Sequence, residues 1–330
     1  MNKIHNMPFS MLELAPMLLG ETAEQTLTRM LDCARHADAC GLNRYWLAEH
    51  HNMEGIASSA TSVLIGAVAS VTQNIRVGSG GIMLPNHPPL VIAEQFGTLD
   101  ALYPGRIDLG LGRAPGTDPL TSRALRRDDM RAEHFPDEVA ELQRLLGPKD
   151  PAARVRAVPG EGSNVDIWLL GSSLFSAQLA AEKGLPYAFA AHFAPRLAHQ
   201  AASLYRARFK PSSVLAQPYF MLCVPLIAAN TDEEAAFIST SSKQRVLALL
   251  RGGALWLKEP VESMDDLWNS QEKASVEAFL GLSVVGGAET IQTKLEDLAT
   301  EFKVDEFMFT NDIYDQEKRK AALSIVASLF

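Results

Sequence analysis

The run Leu47-Ala48-Glu49-His50-His51-Asn52 sets a carboxylate beside two imidazoles, directly after a short apolar stretch, Tyr45-Trp46-Leu47. Such a group at the end of a strand can take up and release protons at neutral pH. The same side chains could also do no more than satisfy one another and a neighbouring loop. Three further features are of interest beside it. Gly78-Ser79-Gly80-Gly81 ends an apolar stretch without side chains, so that a flat molecule could lie against the backbone; a tight bend in a sheet would need the same glycines. Gly171-Ser172-Ser173 opens a helix, where free N–H groups, two hydroxyls and the helix dipole favour an anion; a plain serine cap is the alternative. Arg113 could hold a phosphate with two parallel hydrogen bonds, or pair with Asp108 or Asp118. Together they suggest a flat, phosphorylated cofactor such as FMN next to an acid–base group.

The elements that must position these residues follow from periodicity. Eight short apolar runs are predicted as strands: Phe9 to Leu14, Arg44 to Leu47, Ile75 to Gly81, Ile107 to Gly112, Asp166 to Leu170, Tyr187 to Ala190, Tyr219 to Ile227 and Glu306 to Phe309. Nearly all are followed by a helix, and most lack strict alternation, as expected of strands buried on both faces. Eight such units predict a closed (β/α)8 TIM barrel in one domain over residues 1–330. Long gaps at about 114–165 and 252–283 are predicted to be insertions at the C-terminal face, where barrel active sites lie. The first contains one helix, roughly Phe135 to Leu146; the second reads as irregular.

The chain has 330 residues, 47% of them hydrophobic, with a net charge of −9. That balance argues against nucleic acid or an anionic membrane as the main partner. Of the three cysteines, Cys33 and Cys40 share a predicted helix about 10 Å apart along its rise, too far for a disulfide. With no signal-peptide pattern at the start and no spanning segment, a reduced, cytoplasmic protein is expected. A metal site drawn from His50, His51 and His192 is not expected, since adjacent strand residues point to opposite faces and no His-x-His or His-x-x-x-His pair occurs. Gly110-Leu111-Gly112-Arg113 lacks the third glycine of a dinucleotide fingerprint. No Gly-x-Ser-x-Gly elbow is present.

Trp46-Leu47-Ala48-Glu49-His50-His51, the run Gly78 to Pro85, Asp100 to Arg113 with Pro104-Gly105-Arg106, and Trp168 to Ser173 resemble the bacterial luciferase-like flavin monooxygenases, in their single-component oxidoreductase branch. The resemblance runs from about Phe9 to the last helix. It implies a barrel that binds reduced FMN supplied by a separate reductase, with oxygen adding to the flavin as a C4a-peroxide that oxidises a small organic substrate. It also implies that His50 is the catalytic histidine and Glu49 the carboxylate that holds it. Gly80-Gly81 would be joined by a cis peptide beneath the flavin. Arg113, Arg123, Gly171, Ser172 and Ser173 would lie at the cofactor, and the small residues of the Ser59 to Ser70 helix would form a dimer interface. The luciferases have a carboxylate where this chain has Gly171 and a cysteine where it has Gly112, which counts against light emission from long-chain aldehydes. His192, Phe193 and Met83 are candidate pocket residues, and His87 could join them. A flavin-binding protein without turnover, a deazaflavin-dependent reductase on the same fold and a metal hydrolase on a barrel are the competing readings.

Overall fold

A computed structural model describes residues 4–114, 118–125, 132–163 and 165–330. Nine strands occur among them: β1 Phe9–Glu13, β2 Arg44–Leu47, β3 Arg76–Met83, β4 Ile107–Gly112, β5 Asp166–Gly171, β6 Tyr187–Ala190, β7 Phe220–Ala228, β8 Val284–Gly286 and β9 Glu306–Thr310. Eight of them close into a parallel barrel in the order β1-β2-β3-β4-β5-β6-β7-β9, with β9 pairing back to β1. The expected (β/α)8 barrel is the fold. The additional strand, β8, extends only three residues and pairs with the end of β7 outside the closed ring. Its length explains why periodicity does not reveal it.

The helices are α1 Ala23–Ala39, α2 Thr61–Val71, α3 Pro89–Leu102, α4 Pro119–Ala124, α5 Phe135–Leu146, α6 Leu174–Lys183, α7 Ala198–Arg208, α8 Asp232–Leu250, α9 Ser270–Phe279, α10 Ala288–Phe302 and α11 Gln316–Ala327. Local chemistry marks several starts. Thr22 and Gln25 form a reciprocal capping box on α1, and the Thr231 hydroxyl accepts from Glu234 N–H on α8. In α1 the buried face is Met30, Cys33, Ala34 and Ala37, which presses the helix on the outside of the barrel. The second insertion is not irregular throughout, because it contains α9. That helix buries only Val276, so its sequence lacks an apolar stripe, although Asn269 and Glu272 form a capping box.

Two layers of core follow from strand alternation. Outward side chains such as Tyr45, Leu47, Leu109 and Phe307 meet the helices. Inward ones, including Leu12, Trp46, Trp168, Met221 and Met308, fill the barrel. Its N-terminal end is plugged by charge. Asp108 and Glu306 are fully buried, and Arg44 bridges them, with Nη1 2.6 Å from Asp108 and Nε 3.1 Å from Glu306. Arg76 and the Trp46 indole also donate to Asp108, and Asn43, Tyr219 and Ser10 donate to Glu306.

Candidate active site

At the C-terminal ends of the strands lies a cavity of about 600 Å³. That volume suits a small-molecule cofactor with a substrate beside it. Glu49, His50, Gly80, Gly81, Arg113, Gly171, Ser172 and Ser173 all line it. Met83, His192 and Phe193 do so too. Arg123 does not: it is exposed on α4 and is not part of the wall.

The loop after β2 is tightly held. His50 N–H donates to Ser58 O at 2.9 Å, while the Ser58 and Thr61 hydroxyls both donate to Ala48 O. Glu49 is buried, and its hydrogen bonds run to His51 Nε2 and His87 Nε2, each 2.8 Å from Oε1, to Met83 N–H at 3.0 Å from Oε2, and to Asn86 at 3.4 Å. Burial alone would raise the Glu49 pKa, but the donors His51, His87 and Met83 hold it down at about 2. Glu49 thus joins the loops after β2 and β3, and His50 projects into the cavity between them. The sequence places Glu49 next to His50; the carboxylate's hydrogen bonds pass over that neighbour to His51 and to His87, which only the β2–β3 pairing brings near. The ligand-type atoms of Glu49, His51 and His87 lie within 4.8 Å of one another. This differs from the His50, His51 and His192 grouping considered from the sequence, and the hydrogen bonds within it account for its geometry.

The Gly80-Gly81 peptide is cis, and the strand register shifts between Ser79 and Ile82 at the same place. A Cβ on Gly80 would come within 2.5 Å of the Leu12 side chain, and one on Gly81 within 2.8 Å of Gly110 O. The neighbouring strand's backbone therefore closes the Gly81 position to a side chain, whereas at Gly80 the Leu12 side chain would have to move, and the bare backbone of the two forms one face of the cavity.

Across the β4 and β5 ends, Ser173 sits at the N-cap of α6 but its hydroxyl does not cap the helix. The simple serine-cap alternative therefore does not describe this turn. A Cβ on Gly171 would meet Ser176 Oγ at 2.4 Å, so a side chain there would need Ser176 to shift. Arg113 lies over the Phe175 ring at 4.0 Å. Asp108 is taken by Arg44 and Arg76, and Asp118 caps α4. A cationic side chain, a hydroxyl not used as a cap and the start of a ten-residue helix thus share one side of the mouth. These residues fit a phosphate group.

His192 is half-buried, and its pKa is lowered to about 4 by burial, with His50 nearby adding to the effect. It faces the cavity as a neutral ring at physiological pH. The Cys223 thiol, also in the wall, is pushed well above its ordinary pKa by burial and does not supply a thiolate.

The described residues of the two insertions contribute unequally. Among the described residues, none of 118–163 lines the cavity; only Arg113 and Ala114, before them, do so. The connector after α5 instead runs along α3, with Gly160 against Gly97. The second insertion supplies Leu255, Phe279 and Leu280 to the roof. Reasoning from sequence also missed Arg245 and Asp312, an ion pair in the wall at 2.6 Å. No local signal marks Arg245, one of several charged residues on a helix of mixed character.

A family model described as luciferase-like monooxygenase matches residues 7–306. An Escherichia coli protein named luciferase-like monooxygenase is 51% identical, covering 94% of this chain and 93% of the relative. A Bacillus subtilis N-acetyl-S-alkylcysteine monooxygenase is 32% identical, covering 93% of both. Among solved structures, apo-MsnO8 superposes with a TM-score of 0.87 at 31% identity over 98% of each chain. Two more distant structures show the same fold. One is the oxygenating constituent of 3,6-diketocamphane monooxygenase from Pseudomonas putida in complex with FMN (TM-score 0.73, 17% identity, 97% and 96% coverage). The other is a coenzyme F420 dependent tetrahydromethanopterin reductase from Methanopyrus kandleri (0.65, 17%, 97% of each).

Proposed function

The chain belongs to the luciferase-like monooxygenase family and is an oxidoreductase, and from that premise we propose that it is an FMN-dependent monooxygenase acting on a small organic substrate. The observation that carries this reading is the convergence, on one cavity, of the bare Gly80-Gly81 backbone, the Arg113, Ser172 and Ser173 cradle and the His50 imidazole. Bound reduced FMN, received from a separate reductase, would supply the electrons with which oxygen is activated.

The protein's own residues supply binding, exclusion of water and proton handling. Ser172, Ser173 and Arg113 hold the phosphate, with the α6 N-terminus and Gly171 shaping the turn. Gly80 and Gly81 support the ring. The His50 imidazole gives or takes a proton at the reacting centre, and its place is set by the Glu49 bridge between two loops. Glu49 stays ionised and positions, rather than reacts. Leu255, Phe279 and Leu280 keep water from the reacting atoms.

Val63, Val91 and Leu102 are exposed on α2 and α3, beside the half-buried Ser62, Gly66 and Ala67. This face supports a homodimer. Among the described residues no helix is long and apolar enough to cross a membrane, and a cytoplasmic location accords with three free cysteines.

The test is titration with reduced FMN, followed by exposure to oxygen and recording of the absorbance. FMN binding with an oxygen-dependent transient is expected. Binding of a deazaflavin with no oxygen response would assign the protein to hydride transfer instead.

A further inference from the structure

Among the described residues Arg245 is the cavity-lining guanidinium on the α8 side, and its side chain is only 5% exposed. Its Nε donates to Leu255 O at 3.1 Å and its Nη1 to Asp312 Oδ1 at 2.6 Å. Its Nη2 is buried with no acceptor among the described residues. A guanidinium has five N–H bonds, and leaving a buried donor unmet is costly. The polar groups elsewhere in the barrel interior show what this fold does with charge it merely needs to store: Asp108 and Glu306 are surrounded by donors.

The position of the pair matters. Arg113 follows β4 and the Gly171 turn follows β5, whereas Asp312 follows β9, which lies across the eight-stranded ring from them. Arg245 is therefore remote from the phosphate cradle, and the carboxylate of Asp312 beside it would repel a second anion. Around it the wall is mostly apolar, with Val246, Leu249, Leu255, Phe279 and Leu280 beside the hydroxyls of Ser242 and Thr310.

We infer that Nη2 of Arg245 anchors the substrate by donating to a neutral acceptor oxygen, of the carbonyl or amide type, on an otherwise apolar molecule. The inference rests on the monooxygenase reading for what happens to that molecule, but not for its binding. Asp312 already balances the guanidinium charge, so the site supplies a donor rather than net positive charge. The apolar roof accepts the remainder of the substrate.

Three probes of similar size test this on the full chain by NMR titration: acetophenone, ethylbenzene and benzoate. Acetophenone should bind about tenfold more tightly than ethylbenzene, the advantage of one satisfied buried donor. Arg245→Lys keeps a cation opposite Asp312 but loses Nη2, and should bring acetophenone to the level of ethylbenzene with FMN binding unchanged. Should that variant fold poorly, the double change Arg245→Met with Asp312→Leu removes both charges together and should give the same levelling. Equal binding of acetophenone and ethylbenzene by the native protein overturns the inference. Tighter binding of benzoate than of acetophenone overturns the neutral-oxygen assignment. A fall in FMN affinity in Arg245→Lys makes the guanidinium a cofactor contact, and overturns it as well. If FMN fails to bind the native protein while the acetophenone preference is intact and lost in the variant, the anchor stands and the cofactor reading falls.

Discussion

The two ends of this barrel handle charge in opposite ways. At the N-terminal end, Asp108 and Glu306 are sealed from solvent, and Arg44, Arg76, Asn43, Trp46, Tyr219 and Ser10 saturate them. At the C-terminal end, the Ser173 hydroxyl does not cap its helix and Arg245 Nη2 finds no partner among the described residues. Buried charge that is fully compensated holds structure, and its loss exposes a charge that nothing else satisfies. Polar groups left incomplete at a cavity wall are those a ligand completes. By this criterion the lower network is a plug and the upper groups are a binding surface.

The contrast can be broken most strongly from below. Asp108→Ala would leave Arg44 and Arg76 without their shared carboxylate inside the barrel, and should lower unfolding free energy by roughly 4 kcal/mol, measured by urea denaturation. A loss below about 1 kcal/mol would mean that the plug is not structural. From above, His50→Ala should leave stability and FMN binding near native but reduce turnover at least roughly a hundredfold; retention of turnover would remove His50 from the chemistry. Replacing Ser172 and Ser173 together by alanine should weaken FMN binding about tenfold with little effect on unfolding. An unchanged affinity would locate the phosphate elsewhere.

A further effect is in the pH dependence of stability. His192 has its pKa lowered from 6.5 to about 4, so the unfolded chain binds more protons between those values and stability falls as pH drops through that window. Glu49 has its pKa lowered from 4.5 to about 2; its contribution is complete above 4.5 and is lost as pH falls towards 2. His192→Gln should flatten the upper part of the acid limb and Glu49→Gln the lower part, as followed by chemical denaturation at successive pH values. If neither substitution changes the slope, the burial of His192 and the bridge made by Glu49 are not as described.

Most of the barrel was legible because a two-sided buried strand leaves a strong mark, a short apolar run such as Tyr187 to Ala190 or Ile107 to Gly112. A three-residue strand on the outside of the ring leaves none, nor does a helix like α9 that buries one residue. Of the site, the residues at strand ends could be read, since barrel topology brings strand ends together whatever the loops do. Partnerships could not. Glu49 stands next to His50 in the chain, yet it bonds His87, 38 positions away. Arg245 and Asp312, separated by 67 positions, belong to different units and meet only across α8 and the chain after β9.

The segment Leu255–Leu257 crosses the mouth with backbone hydrogen bonds on its near side: Leu255 N–H to Glu54 O, Leu257 N–H to Met17 O, and Leu19 N–H to Leu257 O. Gly55 packs so closely beneath it that a Cβ there would lie 2.2 Å from the Leu255 carbonyl carbon. Beyond it the chain enters α9, which is pinned on α8 through Val276. The crossing piece is thus moored at both banks, like a low bridge over a channel. Clearance beneath such a span, rather than how often it lifts, sets the girth of the molecules that pass.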